Sequence, residues 1–177
     1  MKNILTTLIS EHVKQNPDRV AFKYKQFPGG AEWTPTTWKQ FSENVNNLAL
    51  QLVDNGIGVQ DTIAIFSANR PEILYSDFAA FSIRAISVSI YATSSADQVK
   101  YIVNDSKAKL LFVGNETQYK IARSVADKMP GLKAIIAFDE IAVEDGDYTF
   151  SQFTKLAIKD GIAEEVTKRT SEAVPED

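Results

Sequence analysis

Three consecutive hydroxyl side chains, Thr93-Ser94-Ser95, stand between a short apolar run and a helical pattern. Hydroxyls and free amides at a helix N-terminus can hold a phosphate or carboxylate, because unpaired N–H groups and the helix dipole both favour an anion. Arg70, in Asn69-Arg70-Pro71-Glu72, is a second place where an anion could be met. Each motif also has a plainer reading. Ser95 and Gln98 have the spacing of a capping box, and Asn69-Arg70-Pro71-Glu72 reads as a capped helix start. Such caps begin most helices of this kind, so the plainer reading is preferred at both.

Other chemistry has less to work with. A phosphate-cradling loop needs closely spaced glycines, and the eight glycines form neither a GxGxxG nor a GxxxxGK[ST] pattern. Gly29-Gly30 suits a hairpin turn, and Gly56 with Gly58 suits helix termination. His12, the single histidine, sits beside Glu11 and is better read as a surface or packing group than as a general base. No serine occupies a GxSxG elbow. Glu140, Glu144, Asp145 and Asp147 lack EF-hand spacing and read as a solvated acidic loop. With no cysteine there is no disulfide, thiol nucleophile or thiolate metal site. No residue is therefore assigned as catalytic, cofactor-binding or metal-ligating.

The elements that position these residues follow a regular order. Leu5, Leu8, Ile9 and Val13 fit one face of a helix that ends at Asn16-Pro17. Residues 20–25 alternate as a strand, Phe27-Pro28-Gly29-Gly30 turns, and Glu32-Trp33-Thr34 begins the return strand of a hairpin. Thr37-Trp38-Lys39-Gln40 is a capping box. The helix it opens carries Trp38, Phe41, Val45, Leu48 and Leu52 as one stripe, and Asn55-Gly56 stops it. From Asp61 onward, apolar strands at 62–66, 86–90, 110–113 and 134–138 alternate with helices. Leu74, Phe78, Phe81 and Ala85 give the first of these helices its buried face. Residues 95–106 form the next, and Asn115 caps a third with Ile121, Val125 and Met129 inward, ended by Pro130-Gly131. Strands apolar on both faces imply a parallel sheet covered on both sides and joined by right-handed crossovers. Phe150, Phe153 and Leu156 suggest one more short helix, and residues 162–169 a charged last one.

At 177 residues, 44% hydrophobic and 24% charged, the chain has the mass and apolar content of one globular domain or a large piece of one. A net charge of −4, without a dense Lys/Arg stripe, argues against a nucleic-acid surface. The apolar run at residues 4–9 is interrupted by Glu11 and His12 too early for a signal peptide, and no stretch is long enough to span a bilayer. A cytoplasmic location is expected, with membrane contact at most peripheral to the inner face.

Residues 88–106, VSIYATSSADQVKYIVNDS, resemble a segment of the AMP-binding, adenylate-forming enzymes, especially the long-chain fatty acid–CoA ligases. There a strand ending in a Pro-Ile-Tyr-like run is followed by a hydroxyl loop and a helix opening Ser-Ala-Glu-Gln. Further pieces match in order. Thr37-Trp38-Lys39-Gln40-Phe41 resembles the family's Thr-Tyr-x-Glu-Leu, and residues 56–65 resemble its Gly-Val-x-x-Gly-Asp-x-Val-Ala-Ile. Asn69-Arg70-Pro71-Glu72 matches Asn-x-x-Glu, and Asp105-Ser106-Lys107-Ala108-Lys109 matches Asp-Ser-x-Ala-Lys. The collinear set covers roughly residues 10 to 140. Ser89 stands where the family usually has proline, and Gln60 where glycine is common.

The resemblance implies an α/β fold of the acetyl-CoA synthetase-like N-terminal kind, with about four strands, helices on both faces and an N-terminal helix and hairpin. It implies helix, hairpin and capped helix over 1–60, βα units over 61–140, and an acidic loop with terminal helices over 141–177. It also implies a parent ligase using fatty acid, ATP, Mg2+ and coenzyme A. The family's phosphate loop, its Tyr-Gly-x-Thr-Glu motif and its C-terminal domain with a lysine are not present. These residues are therefore expected to be an inactive N-terminal piece, binding no cofactor itself and partnered by the rest of the same polypeptide. A free-standing α/β binding or interaction module without catalysis is the alternative, flavodoxin-like in outline. Ser67-Ala68-Asn69 offers neither the phosphate site nor the acidic cluster that a flavodoxin-like protein would show.

Overall fold

The structure, a computed structural model, describes residues 5–25 and 30–174. The expected hairpin turn at Phe27-Pro28-Gly29 lies outside the described residues.

Helix α1 (Leu5–Gln15) leads into strand β1 (Val20–Lys25), which pairs antiparallel with β2 (Trp33–Thr37). The Thr37 hydroxyl accepts from the Gln40 amide at 3.2 Å and the Gln40 side chain accepts from Thr37 N–H at 2.9 Å, so α2 (Trp38–Asp54) starts on the expected capping box. Two otherwise orphaned donors are satisfied there. Thr37→Ala is expected to cost about 1 kcal/mol, measured by urea denaturation. Past the other end, Gly56 holds φ at 76°, which suits glycine.

The βα units follow as expected. They comprise β3 (Thr62–Phe66), α3 (Pro71–Ser82), β4 (Ile86–Ile90), α4 (Ala96–Asp105), β5 (Leu110–Val113), α5 (Glu116–Arg123) and β6 (Ala134–Ala137). A fifth strand, β7 (Tyr148–Thr149), precedes α6 (Phe150–Phe153) and α7 (Ile162–Glu172). The sheet order is β4-β3-β5-β6-β7, with every neighbouring pair parallel. β7 is the strand beyond the expected four. Two residues after an acidic loop leave no apolar run to read.

Alternation along each strand divides the interior in two. Ile63, Ile65, Leu110, Phe112 and Ile136 point into a core shared with α2, α3, α6 and α7. Ala64, Phe66, Leu111, Val113 and Ile135 point into a second core under α4 and α5. This is the three-layer arrangement the apolar strands require.

Two helices bury different residues from those the pattern suggested. In α3, Tyr75, Ser76, Ala79 and Ala80 face inward, while Leu74 is exposed and Phe78 and Phe81 are half-buried. Small residues let this helix approach the sheet closely, so the large ones are left at its flanks. Its start is not side-chain capped: Arg70 occupies the N-cap without a capping bond, and Pro71 sets the first turn instead of Asn69. In α5, Tyr119 and Ala122 face inward and Ile121 is half-buried. Val125 and Met129 are buried beyond the helix end, around a short 3-10 turn.

Candidate functional site

In a parallel sheet with helices on both faces, ligands meet the loops at the carboxyl ends of the strands. Four such loops form a rim here: residues 67–70 after β3, 91–95 after β4, 114–115 after β5 and 138–139 after β6. Between the ends of β3 and β4 lies an open groove of about 500 Å³, walled by Ser67, Asn69, Ile73, Ser89, Tyr91 and Thr93.

The hydroxyl cluster beside this groove is engaged in capping. Ser95 Oγ accepts from the Gln98 amide at 3.4 Å, and the Gln98 side chain accepts from Ser95 N–H at 2.8 Å. Ser94 is buried and donates its N–H to the Tyr91 carbonyl at 2.9 Å. The plainer reading of Thr93-Ser94-Ser95 thus describes the geometry.

Arg70 is also committed. Its Nε meets Glu72 at 2.7 Å, and its Nη1 meets both Asp139 at 2.9 Å and the Gly114 carbonyl at 2.6 Å. The guanidinium lies 5.2 Å from the centre of the Phe138 ring. Burial alone would pull its pKa down, but the hydrogen-bonded carboxylates override that and hold it above the ordinary value. Arg70 therefore ties the ends of β3, β5 and β6 together, and its cation is already balanced.

Gln118 does the same for β4. It is buried, accepting from Gly114 N–H at 3.1 Å and donating to the Ala92 carbonyl at 3.0 Å. A Cβ at Gly114 would lie 2.5 Å from both Gln118 Oε1 and Ser67 Oγ, so a larger residue there would push both side chains out of place. Neither Gln118 nor Asp139 stood out in the sequence. Gln118 follows Asn115 by three residues, which looks like another capping box, but its amide is turned to the rim. Asp139 has only the signal of a charge directly after an apolar strand.

His12 stacks on Trp38 with ring centres 4.2 Å apart, a packing role as expected. The acidic loop needs correction at one position. Asp147 is buried, not solvated: it accepts from Tyr119 Oη at 2.8 Å and Ile135 N–H at 2.8 Å, with Arg123 at 3.5 Å. Glu144 pairs with Arg123 outside it. Burial first, then the hydrogen bond to Asp147, pushes the Tyr119 phenol up to about 12. A phenol pKa raised above its unfolded value of about 10 stabilises the fold below that pH. The contribution is lost as pH rises through the folded value. Alkaline titration followed by tyrosinate absorbance should show a late step near pH 12 that Tyr119→Phe abolishes. Ionisation of every tyrosine near the ordinary value would contradict it.

Among the described residues, no group of three or more histidine, cysteine or acidic side chains could hold a metal ion. The rim is a hydrogen-bonded scaffold whose polar groups are largely spent on one another. It walls one side of the groove between β3 and β4.

The profile of the AMP-binding enzyme family matches residues 9–176. The chain belongs to that family. The long-chain-fatty-acid–CoA ligase FadD15 of Mycobacterium bovis is 31% identical over 132 residues, covering 75% of this chain and 22% of that protein. Fatty acyl-CoA synthetase A of Dictyostelium discoideum is 32% identical over 150 residues, covering 78% of this chain and 21% of that protein. An acetyl-coenzyme A synthetase of Dictyostelium discoideum is 31% identical over 117 residues, covering 64% of this chain and 17% of that protein. The chain thus spans about a fifth of the length of the relatives it matches. Among its described residues no helix is long and apolar enough to cross a membrane.

Proposed function

We propose that the chain is the N-terminal part of an ATP-dependent long-chain fatty acid–CoA ligase and is catalytically inert alone. The observation that carries this reading is the match of three-quarters of the chain to about a fifth of two mycobacterial long-chain-fatty-acid–CoA ligases at 30–31% identity. The rim supports it, because Arg70 and Gln118 spend their polar groups on holding the strand ends together.

In the parent enzyme the fatty-acid carboxylate attacks the α-phosphorus of ATP, and pyrophosphate leaves. The thiol of coenzyme A then attacks the acyl carbon, and AMP leaves. Mg2+ would balance the charge of the ATP phosphates. Among the described residues no group of three or more histidine, cysteine or acidic side chains gathers to hold it, and neither step is assigned to this chain. Its part is to supply a rigid sheet and rim against which the rest of the polypeptide is built. By this reading residues 1–60 and 141–177 flank the βα units of 61–140 within one larger domain.

The test is thioester formation by the protein encoded by the whole gene, with fatty acids of graded length and coenzyme A. Turnover rising from acetate to long-chain acids is expected. Turnover of acetate alone would move the substrate assignment, and failure to form any acyl-adenylate would overturn the ligase reading.

A further inference from the structure

The seam between α3 and β4 holds a carboxyl group with no cation beside it. Asp77 lies half-buried on the flank of α3 and accepts from the Ser87 hydroxyl of β4 at 2.7 Å. Ser87 and Ser89, two residues apart, turn to the same side of the sheet. Ile73, one helical turn before Asp77, walls the groove between β3 and β4 together with Ser89. The Asp77–Ser87 contact is therefore the tie directly beneath one wall of that groove.

A carboxylate offers about four acceptor positions, and among the described residues only Ser87 donates to this one. The charges around it are spent elsewhere. β3 and β4 carry no ionisable side chain. On α3, Glu72 is held by Arg70 and Tyr75 is buried in the core, and past the helix end Arg84 meets Glu172 of α7 at 3.7 Å. In the helices packed against α3, His12 stacks on Trp38, Asp54 pairs with Lys159, and Arg169 pairs with Glu165. Neither these groups nor Glu11, Lys14, Lys39, Glu43, Glu164 and Lys168 exert a charge effect on Asp77. Burial raises its pKa above the ordinary carboxylate value, and the Ser87 hydroxyl only partly offsets that.

We propose that Asp77 is a proton-sensitive latch between α3 and β4. Protonated, the carboxyl keeps the Ser87 hydrogen bond, needs little water and lets the seam close. Ionised, it needs donors that the seam does not supply and draws water between helix and strand. That loosens β4 and lets the Ile73 and Ser89 walls of the groove part. The sign follows from the burial. A carboxyl that holds its proton more tightly in the folded chain favours folding below the unfolded value of about 3.9. The contribution is lost as pH rises through the folded value. Near neutral pH an aspartate here costs stability that an uncharged side chain of the same shape would not.

NMR titration of the carboxyl carbons in the 177-residue chain reads Asp77 directly. Its midpoint should lie above about 3.9 and move higher still in Ser87→Ala, which removes the hydroxyl donor. Asp77→Asn keeps the shape and should raise the urea midpoint at about pH 7 more than at about pH 4. At the higher pH it should also slow exchange of the Ile86 and Val88 amides by about threefold or more, with a smaller change at Ile136 in β6. A titration midpoint for Asp77 at or below about 3.9 overturns the proposal. So does an effect of Asp77→Asn on the urea midpoint that is the same at both pH values. Equal slowing of the β4 and β6 amides overturns it as well, since the substitution would then act on the whole fold rather than on the seam.

Discussion

Phe112→Ala is expected to lower the unfolding free energy by about 3–5 kcal/mol. Phe112 is fully buried at the centre of β5, between strands on both sides. Its ring stacks on Phe138 at 5.8 Å and meets Phe153 edge-on at 6.3 Å. It thereby joins β6 and α6 to the middle of the sheet. Truncation removes the buried ring and leaves a cavity that three surrounding elements cannot close. For a chain of this size the loss should appear as a fall of roughly 10 °C in Tm. Phe112→Leu keeps most of the volume and should cost under about 1.5 kcal/mol. Equal effects of the two substitutions, or an Ala loss below about 1 kcal/mol, would contradict the packing described.

Arg70→Ala should cost about 2–3 kcal/mol. One side chain satisfies two carboxylates and a carbonyl, so its loss leaves Glu72, Asp139 and the Gly114 oxygen without that partner. The figure is set below that for fully buried pairs because the Glu72 and Asp139 side chains are 23% and 31% exposed to water. Arg70→Lys retains the charge but not the fork, and should recover less than half of the loss. The effect on Phe138 follows, since the guanidinium covers its ring. If Arg70 instead served an anion bound in the groove, Arg70→Ala would leave stability nearly unchanged, which chemical denaturation would reveal.

Much of this fold is legible in the residues. Four of the five parallel strands are apolar runs bounded by turn signals, and the Thr37/Gln40 and Ser95/Gln98 boxes place two helix starts. β7 escapes notice because two residues carry no period. The inward face of α3 is misread because hydrophobicity alone ranks Leu74 and Phe78 above Ala79 and Ala80, whereas close approach to a sheet rewards small residues. Gln60 shows what a single position can hold. It adopts φ of 62°, the left-handed region that favours glycine, and holds it with a glutamine.

The rim was legible only in part. Local signals found the caps, but the partners of Arg70 lie 44 and 69 residues away, and nothing in their spacing announces them. Asp147 was hidden for the same reason. A carboxylate among other acidic residues reads as solvated until Tyr119 and Ile135 are brought over it.

The central claim is that these 177 residues are scaffold and that the chemistry belongs to the longer polypeptide. Fatty-acid-dependent exchange of pyrophosphate into ATP, measured for the purified 177-residue chain and for the whole-gene protein, tests it most directly. Exchange at background for the chain and well above background for the whole protein is the predicted result. Sustained fatty-acid-dependent exchange by the 177-residue chain alone would contradict it.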